Sequence, residues 1–335
     1  MMPSARSQKK QYRKSALVIF TVLLLFSSIT TAGIKNSERR TQNTVFNTTG
    51  SCKMLRAMSR MYMAGGDYAK AQPLAENALT LAKSKDSELE LCNCMIDLAY
   101  VYSHQGNFTE AEQMCESALE LQKKVYYKDH PYVAGTLRIL SSIYQGQAKY
   151  RQARDSIEQA IAIMSKSHLP DDPVLAPFQV DLARVMAAQG EFDNAENIYI
   201  AALEIISKTY GPEHLYTAGV YGSVAELYTL QGKYSQAEEL IDRTISIQQK
   251  VYGPQHHLVA PALLTKAVIF QSRRDFAQAE NLIQKVLAAV EKNYDSEHPL
   301  YGKILSRIGQ LHIAEKNYTN ELRQKSENST EIAKL

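Results

Sequence analysis

Apolar, small and polar positions recur along this chain in a single register. A short turn marks it: Gly66-Asp67-Tyr68, Gly106-Asn107-Phe108, Gly190-Glu191-Phe192 and Gly232-Lys233-Tyr234, with Ala148-Lys149-Tyr150, Arg274-Asp275-Phe276 and Lys316-Asn317-Tyr318 in the same slot. The first two turns are 40 residues apart and every later spacing is 42. Seven residues before each turn lies a small side chain: Ser59, Ala99, Ser141, Ala183, Ala225, Ala267 and Gly309. Four before it is a ring or its substitute, from Tyr62 and Tyr102 through Met186 to His312. Three after the aromatic comes Ala71, Ala111, Ala153, Ala195, Ala237 or Ala279. Further on, Ala78-Leu79, Ala118-Leu119, Ala160-Ile161 and Ala202-Leu203 continue an inward stripe at helical spacing. The pattern predicts one helix before each turn and one after it. Small residues on both let the two axes approach, because a large side chain there would overpack the contact. A period held over about six and a half copies predicts a stacked all-α array.

The links between pairs are legible too. Gly211-Pro212 and Gly253-Pro254 stop a helix, since glycine takes the left-handed cap and proline forbids continuation. Pro131 and Pro299 fit the first turn of the next helix, where a missing N–H costs nothing. His130, His214, His256 and His298 share one link slot with Asp172. Repeat-equivalent residues on neighbouring helices lie about 10 Å apart, too far to converge on a metal with ligands near 2 Å, so these are expected to be polar residues at helix starts.

The N-terminal residues break the pattern. Arg6, Lys9, Lys10, Arg13 and Lys14 precede an apolar run from Ala16 to Phe26, followed by small and polar residues to Gly33. Basic, apolar, small is the order of a secretory signal, with Ala32 as the last residue removed. The alternative is an uncleaved anchor from Ala16 to Ala32, at the short end of what spans a bilayer. Both place the rest of the chain outside the cytoplasm. Residues 1–32 are therefore expected to be a signal peptide or anchor, 33–50 a polar linker, 51–322 the array and 323–335 a polar tail.

Composition narrows the function classes. The chain of 335 residues is 45% hydrophobic and 22% charged, with net charge +3, which gives no reason to expect nucleic acid. Cys52, Cys92, Cys94 and Cys115 lack the spacing of a zinc site. Export would permit a disulfide from Cys52 to Cys92 or to Cys94; buried free thiols are the other reading. No nucleotide loop, nucleophile elbow or zinc-protease motif is present, and no acid–base pair is brought together by the spacing. The sequence thus predicts no enzyme, no cofactor and no metal.

The ring, small residues and turn glycine resemble tetratricopeptide repeats, and the 42-residue length with Asp129-His130-Pro131 and Glu297-His298-Pro299 resembles the kinesin-light-chain subtype. The resemblance implies an α-solenoid of antiparallel helix pairs in a right-handed superhelix, binding protein or peptide in its concave groove. That subtype often carries paired asparagines early in the first helix; here the equivalents are Arg138-Ile139, Val180-Asp181, Gly222-Ser223 and Leu264-Thr265, so the family's peptide contacts do not carry over. In this architecture the positions ten and six before the turn should face the groove. They supply the expected partner-binding residues Arg56, Arg60, Tyr100, Arg138, Ser142, Arg184 and Glu226. Four arginines with a tyrosine suit carboxylates and hot spots. Ile96, Val180, Leu264 and Val268 occupy the same two positions, and the C-terminal half is the more apolar. The expected partner is a segment acidic at one end and apolar at the other, and the expected role is an exported, non-catalytic scaffold.

Overall fold

The computed structural model describes residues 49–84, 87–126, 129–256, 258–293 and 299–332. The expected signal peptide or anchor, the expected linker up to residue 48, and His298 lie outside them. Cys52–Leu335 forms one compact unit. Among the described residues there are thirteen helices and no strand: α1 Thr49–Ala64, α2 Tyr68–Lys83, α3 Glu88–His104, α4 Phe108–Val125, α5 Pro131–Gly146, α6 Tyr150–Met164, α7 Ala176–Ala188, α8 Phe192–Tyr210, α9 Leu215–Leu230, α10 Tyr234–Tyr252, α11 Ala260–Ser272, α12 Phe276–Asn293 and α13 Pro299–Ile332. The turn aromatic opens the second helix of every pair from α2 to α12.

The turn slot requires a left-handed backbone. Gly66, Gly106, Gly190 and Gly232 take φ between 74° and 85° there. Ala148 and Arg274 are forced into the same conformation at φ 57° and 64°, where a Cβ meets the following carbonyl. Ala148→Gly is expected to stabilise the fold by about 1 kcal/mol, the relief of strain less the extra chain entropy of glycine, and Arg274→Gly by less, because it also removes the guanidinium 4.3 Å over the Tyr318 ring. Thermal unfolding of the two variants checks this.

Behind the turn the helices touch through the predicted small residues. Ala71, Ala111, Ala153, Ala195, Ala237 and Ala279 are wholly buried, as are Ala99, Ala183 and Ala225 opposite them. Where serine replaces alanine, its hydroxyl donates across the contact: Ser59 to the Ala71 carbonyl at 2.9 Å and Ser141 to the Ala153 carbonyl at 2.8 Å. The link slot behaves as a cap. The imidazole Nδ1 accepts from the backbone N–H two residues on, at 3.2 Å in His130, 3.1 Å in His214 and 3.2 Å in His256. Asp172 does the same with its carboxylate at 2.9 Å.

Successive pairs are joined by an electrostatic ladder that the sequence reading did not find. Glu112 on α4 takes Lys149 at 3.0 Å and the Gln147 amide at 2.8 Å from the next turn. At the following joint the charges are reversed, Arg154 on α6 meeting Glu191 at 2.6 Å. They revert at Glu196 on α8, which holds Lys233 at 3.0 Å and the Tyr228 hydroxyl at 2.9 Å. Over these three joints a slipped register would place like charges together; at the next, Glu238 keeps the sign of Glu196 and holds Arg273 at 2.5 Å. Burial pushes the Glu112 and Glu196 carboxyls up, but their donors outweigh it and hold both below the usual range. A depressed carboxyl contributes stability that is complete above its ordinary value near ~4.3 and is lost as pH falls through the folded value. Thermal unfolding should therefore weaken steeply in acid below about pH 4, and less so in Glu196→Gln.

The last turn does not form. Lys316-Asn317-Tyr318 lies within α13, which runs unbroken for 34 residues. Ala148 and Arg274 show that the slot can turn without glycine, but here Glu321 stands where the packing alanine would be, so no buried second helix offsets the strain of the turn and the helix continues. Tyr318 instead packs on Phe276, with Arg274 4.3 Å above its ring.

Candidate partner-binding channel

Successive first helices touch one another directly, α3 with α5, α5 with α7, α7 with α9, α9 with α11 and α11 with α13, whereas contact between successive second helices is weaker or lacking among the described residues. The first helices are thus the crowded, inner wall of the curve. On that wall the two positions expected to face the groove separate. Six before the turn, Arg60, Tyr100, Ser142, Arg184 and Glu226 are all exposed. Ten before it, Val180 and Leu264 are buried, Ile96 is half-buried and Arg56 keeps only 12% of its side chain exposed. The first set lines the free surface; the second mostly fills the seam between adjacent first helices, with Arg138, 41% exposed, as its exception.

Within the protein the four expected arginines are paired with two aspartates, each nine residues before a turn and on the next first helix or the same one. Asp97 of α3 takes Arg56 Nε at 2.7 Å on one oxygen and Arg60 at 2.8 Å on the other, and Glu90 adds a contact to Arg56 at 3.3 Å. Asp181 of α7 pairs with Arg138 of α5 and, at 2.8 Å, with Arg184 of its own helix. The sequence carried this signal: Asp97 follows the repeat copy of Arg56 by one residue, and Asp181 likewise follows the copy of Arg138. The two arginines on Asp181 are 41% and 44% exposed, against 12% for Arg56 in the first cluster.

From there a polar ribbon runs along the wall. The Tyr68 and Tyr100 hydroxyls are neighbours beside Arg138, and burial pushes both phenols up. Arg184 faces Glu226, and the Thr265 hydroxyl approaches Glu226 at 3.5 Å. The recess around Glu226 pushes its carboxyl up, an effect that Arg184 and Thr265 only partly offset. Beneath Arg138 and Arg184 lies a recess of about 500 Å³ completed by Val174, Pro177, Tyr210, Tyr216 and Ser223. Ser142 borders a larger space of about 990 Å³ whose walls come from both ends of the array: Ala69, His104 and Phe108 on one side, Leu264, Thr265, Ser306, Arg307 and Gln310 on the other. Tyr210, Tyr216, Ser223 and Thr265 were not anticipated from sequence, because none occupies the two positions that register alone singles out.

Among the described residues no group of three or more His, Cys, Asp or Glu side chains is arranged to hold a metal, and no helix is long and apolar enough to cross a membrane. Cys52, Cys92, Cys94 and Cys115 are buried and unbonded.

Comparison with known proteins supplies the family. No curated protein sequence matches the chain. Among solved structures, NprR in complex with its cognate peptide NprX is 13% identical, covering 96% of this chain and 89% of that one, with a TM-score of 0.63. BtubC (BKLC) from P. vanneervenii is 20% identical over 73% of this chain and 94% of its own, with a TM-score of 0.50. Kinesin light chain TPR-like repeats from Podosopora anserina are 24% identical, covering 63% of this chain and 100% of that chain, with a TM-score of 0.46. These are likenesses of fold. Residues 50–244 match the MalT-like TPR region and residues 216–292 a tetratricopeptide repeat model, so the chain belongs to the MalT-like TPR family of tetratricopeptide repeat proteins.

Proposed function

We propose that this protein is a non-catalytic scaffold that holds an extended segment of a partner protein along its first-helix wall. One observation carries the reading. The packing positions are nearly the same in every copy, while the exposed inner position changes from Arg60 to Tyr100, Ser142, Arg184 and Glu226. A repeat protein that keeps its small packing residues while varying an exposed inner position can read something unlike at each step. The NprR structure, of similar fold, contains a peptide. The segment's carboxylate would meet Arg138 and Arg184, the pair whose guanidinium groups stay more than two-fifths exposed, and its apolar end would lie toward the half-buried Val268. Export follows from the basic, apolar and small order of residues 1–32, with the array outside the cytoplasm, either released after Ala32 or tethered by Ala16–Ala32. N-terminal sequencing of the mature protein, starting at Gly33 or retaining the leader, distinguishes the two.

Peptides selected on the purified chain from a random display library provide the binding test. Ser142→Arg and Arg184→Ala should each weaken the selected peptides at least tenfold without moving the unfolding midpoint, since both side chains are exposed. Unchanged affinity in both variants would remove the channel as the binding site. Arg56 is unsuited to this test, because its side chain is part of the fold.

A further inference from the structure

Two thiols meet at the first joint of the array. Cys52 on α1 and Cys94 on α3 are 1% and 0% exposed, and their Sγ atoms lie 3.6 Å apart. They are not copies of one repeat position. The first repeat is 40 residues long, so the copy of Cys52 is Cys92. The two copies behave alike: Cys52 points at the Ala78 carbonyl at 3.5 Å and Cys92 at the Ala118 carbonyl at 3.6 Å. Cys94 is the additional thiol. Its slot holds Met54, Thr136, Phe178, Val220 and Ala262 in the other repeats, so a facing cysteine pair exists at this joint alone among the described residues.

We propose that Cys52 and Cys94 form a disulfide that pins α1 to α3. A bonded pair needs about 2.05 Å between sulfurs, a closure of about 1.5 Å from the observed contact, within reach of small χ1 adjustments of both side chains. The oxidant is a low-molecular-weight disulfide such as oxidised glutathione. One cysteine thiolate attacks it, forming a mixed disulfide and releasing one glutathione thiolate. The other cysteine thiolate attacks the protein sulfur of that mixed disulfide, the Cys52–Cys94 bond forms, and the second glutathione leaves. Two cysteine thiols are oxidised, one glutathione disulfide is reduced to two thiols, and the two cysteine protons end on them.

The location gives the bond its consequence. α1 ends the described array and has a repeat on one side only, so it is the helix that opens first. It also carries Arg56 and Arg60, whose hold on Asp97 forms one end of the channel wall. Burial, and then the neighbouring Cys52 sulfur, pushes the Cys94 thiol up. Thiolate is therefore scarce while α1 is docked, and exchange proceeds when α1 opens. Once formed, the bond opposes that opening.

The test uses the full chain, purified reduced and then either held folded or refolded with oxidised glutathione, alkylated in denaturant and mapped without reduction. The expected product is a single Cys52–Cys94 cross-link, lighter than the two thiol peptides by two hydrogens, with Cys92 and Cys115 alkylated. Amide exchange across α1 should slow roughly hundredfold on oxidation. Cys52→Ser and Cys94→Ser should each abolish both the cross-link and the slowing; Cys92→Ser should abolish neither. Four alkylated cysteines after refolding with the oxidant would overturn the proposal. So would a cross-link through Cys92 or Cys115, or slowing that survives in Cys94→Ser.

Discussion

Asp97→Ala is expected to destabilise the N-terminal repeats by about 3 kcal/mol, the scale for breaking a buried ion pair from one side. The change leaves Arg56 in a seam where 12% of its side chain reaches solvent, with Glu90 at 3.3 Å as its remaining carboxylate. Arg60, 57% exposed, can turn to water and contributes little of the loss. The matching change, Asp181→Ala, provides the control. It also strands two arginines, but both are more than two-fifths exposed, so the cost should stay below about 1 kcal/mol. Because a solenoid unfolds from its ends, the larger loss should appear as faster amide exchange in α1 and α2 and as an early shoulder in urea unfolding. Equal effects of the two substitutions would show that burial of Arg56 does not set the cost.

Gly146→Ala should cost about 1–3 kcal/mol, the range for overpacking a filled site. Gly146 ends α5 with an ordinary helical backbone, and a Cβ there would lie 2.3 Å from the Phe108 ring of α4. That ring packs against the cluster of Ala111, Cys115, Leu140 and Tyr144, so it cannot swing aside freely. Phe108→Leu shortens the obstacle. The double variant should therefore be less destabilised than the two single changes added together, and a double-mutant cycle in urea measures the difference. Strict additivity would mean that the ring and the glycine are not in conflict.

Much of the fold was readable in the sequence because its physics is local. A left-handed turn, a ring and facing alanines each have a chemical signature, and their recurrence fixed the helix pairs. The link histidines were expected at helix starts, and His130 and His214 cap α5 and α9. The unbroken α13 shows the limit of register: position predicted a turn, but with Glu321 in place of the packing alanine there was no second helix to bury. The wall was only half legible. Period alone gave Arg60, Tyr100, Ser142, Arg184 and Glu226 as exposed residues of the first helices. It could not separate them from Arg56 in the seam, because helical spacing gives a direction from the axis and not the distance to the next helix. The aspartates were missed for the same reason. Asp97 and Asp181 meet arginines about one repeat away, and such pairs become visible only when the packing of successive first helices is known. The charge alternation through Glu112, Arg154 and Glu196 was present in the sequence as a sign reversal at a fixed interval, and it acquires meaning once those residues are seen to bridge consecutive repeats.

A photoactivatable amino acid at Ser142 tests the central claim most directly, with the same residue at the exposed α10 position Glu239 as reference. The two variants are irradiated in the native compartment and their adducts sequenced. A scaffold that binds through its first-helix wall should give, from position 142, cross-links to one recurrent segment of a partner, lost when Arg184→Ala is added, and none of them from position 239. Cross-links of equal yield from both positions, or a segment captured only from α10, would contradict it.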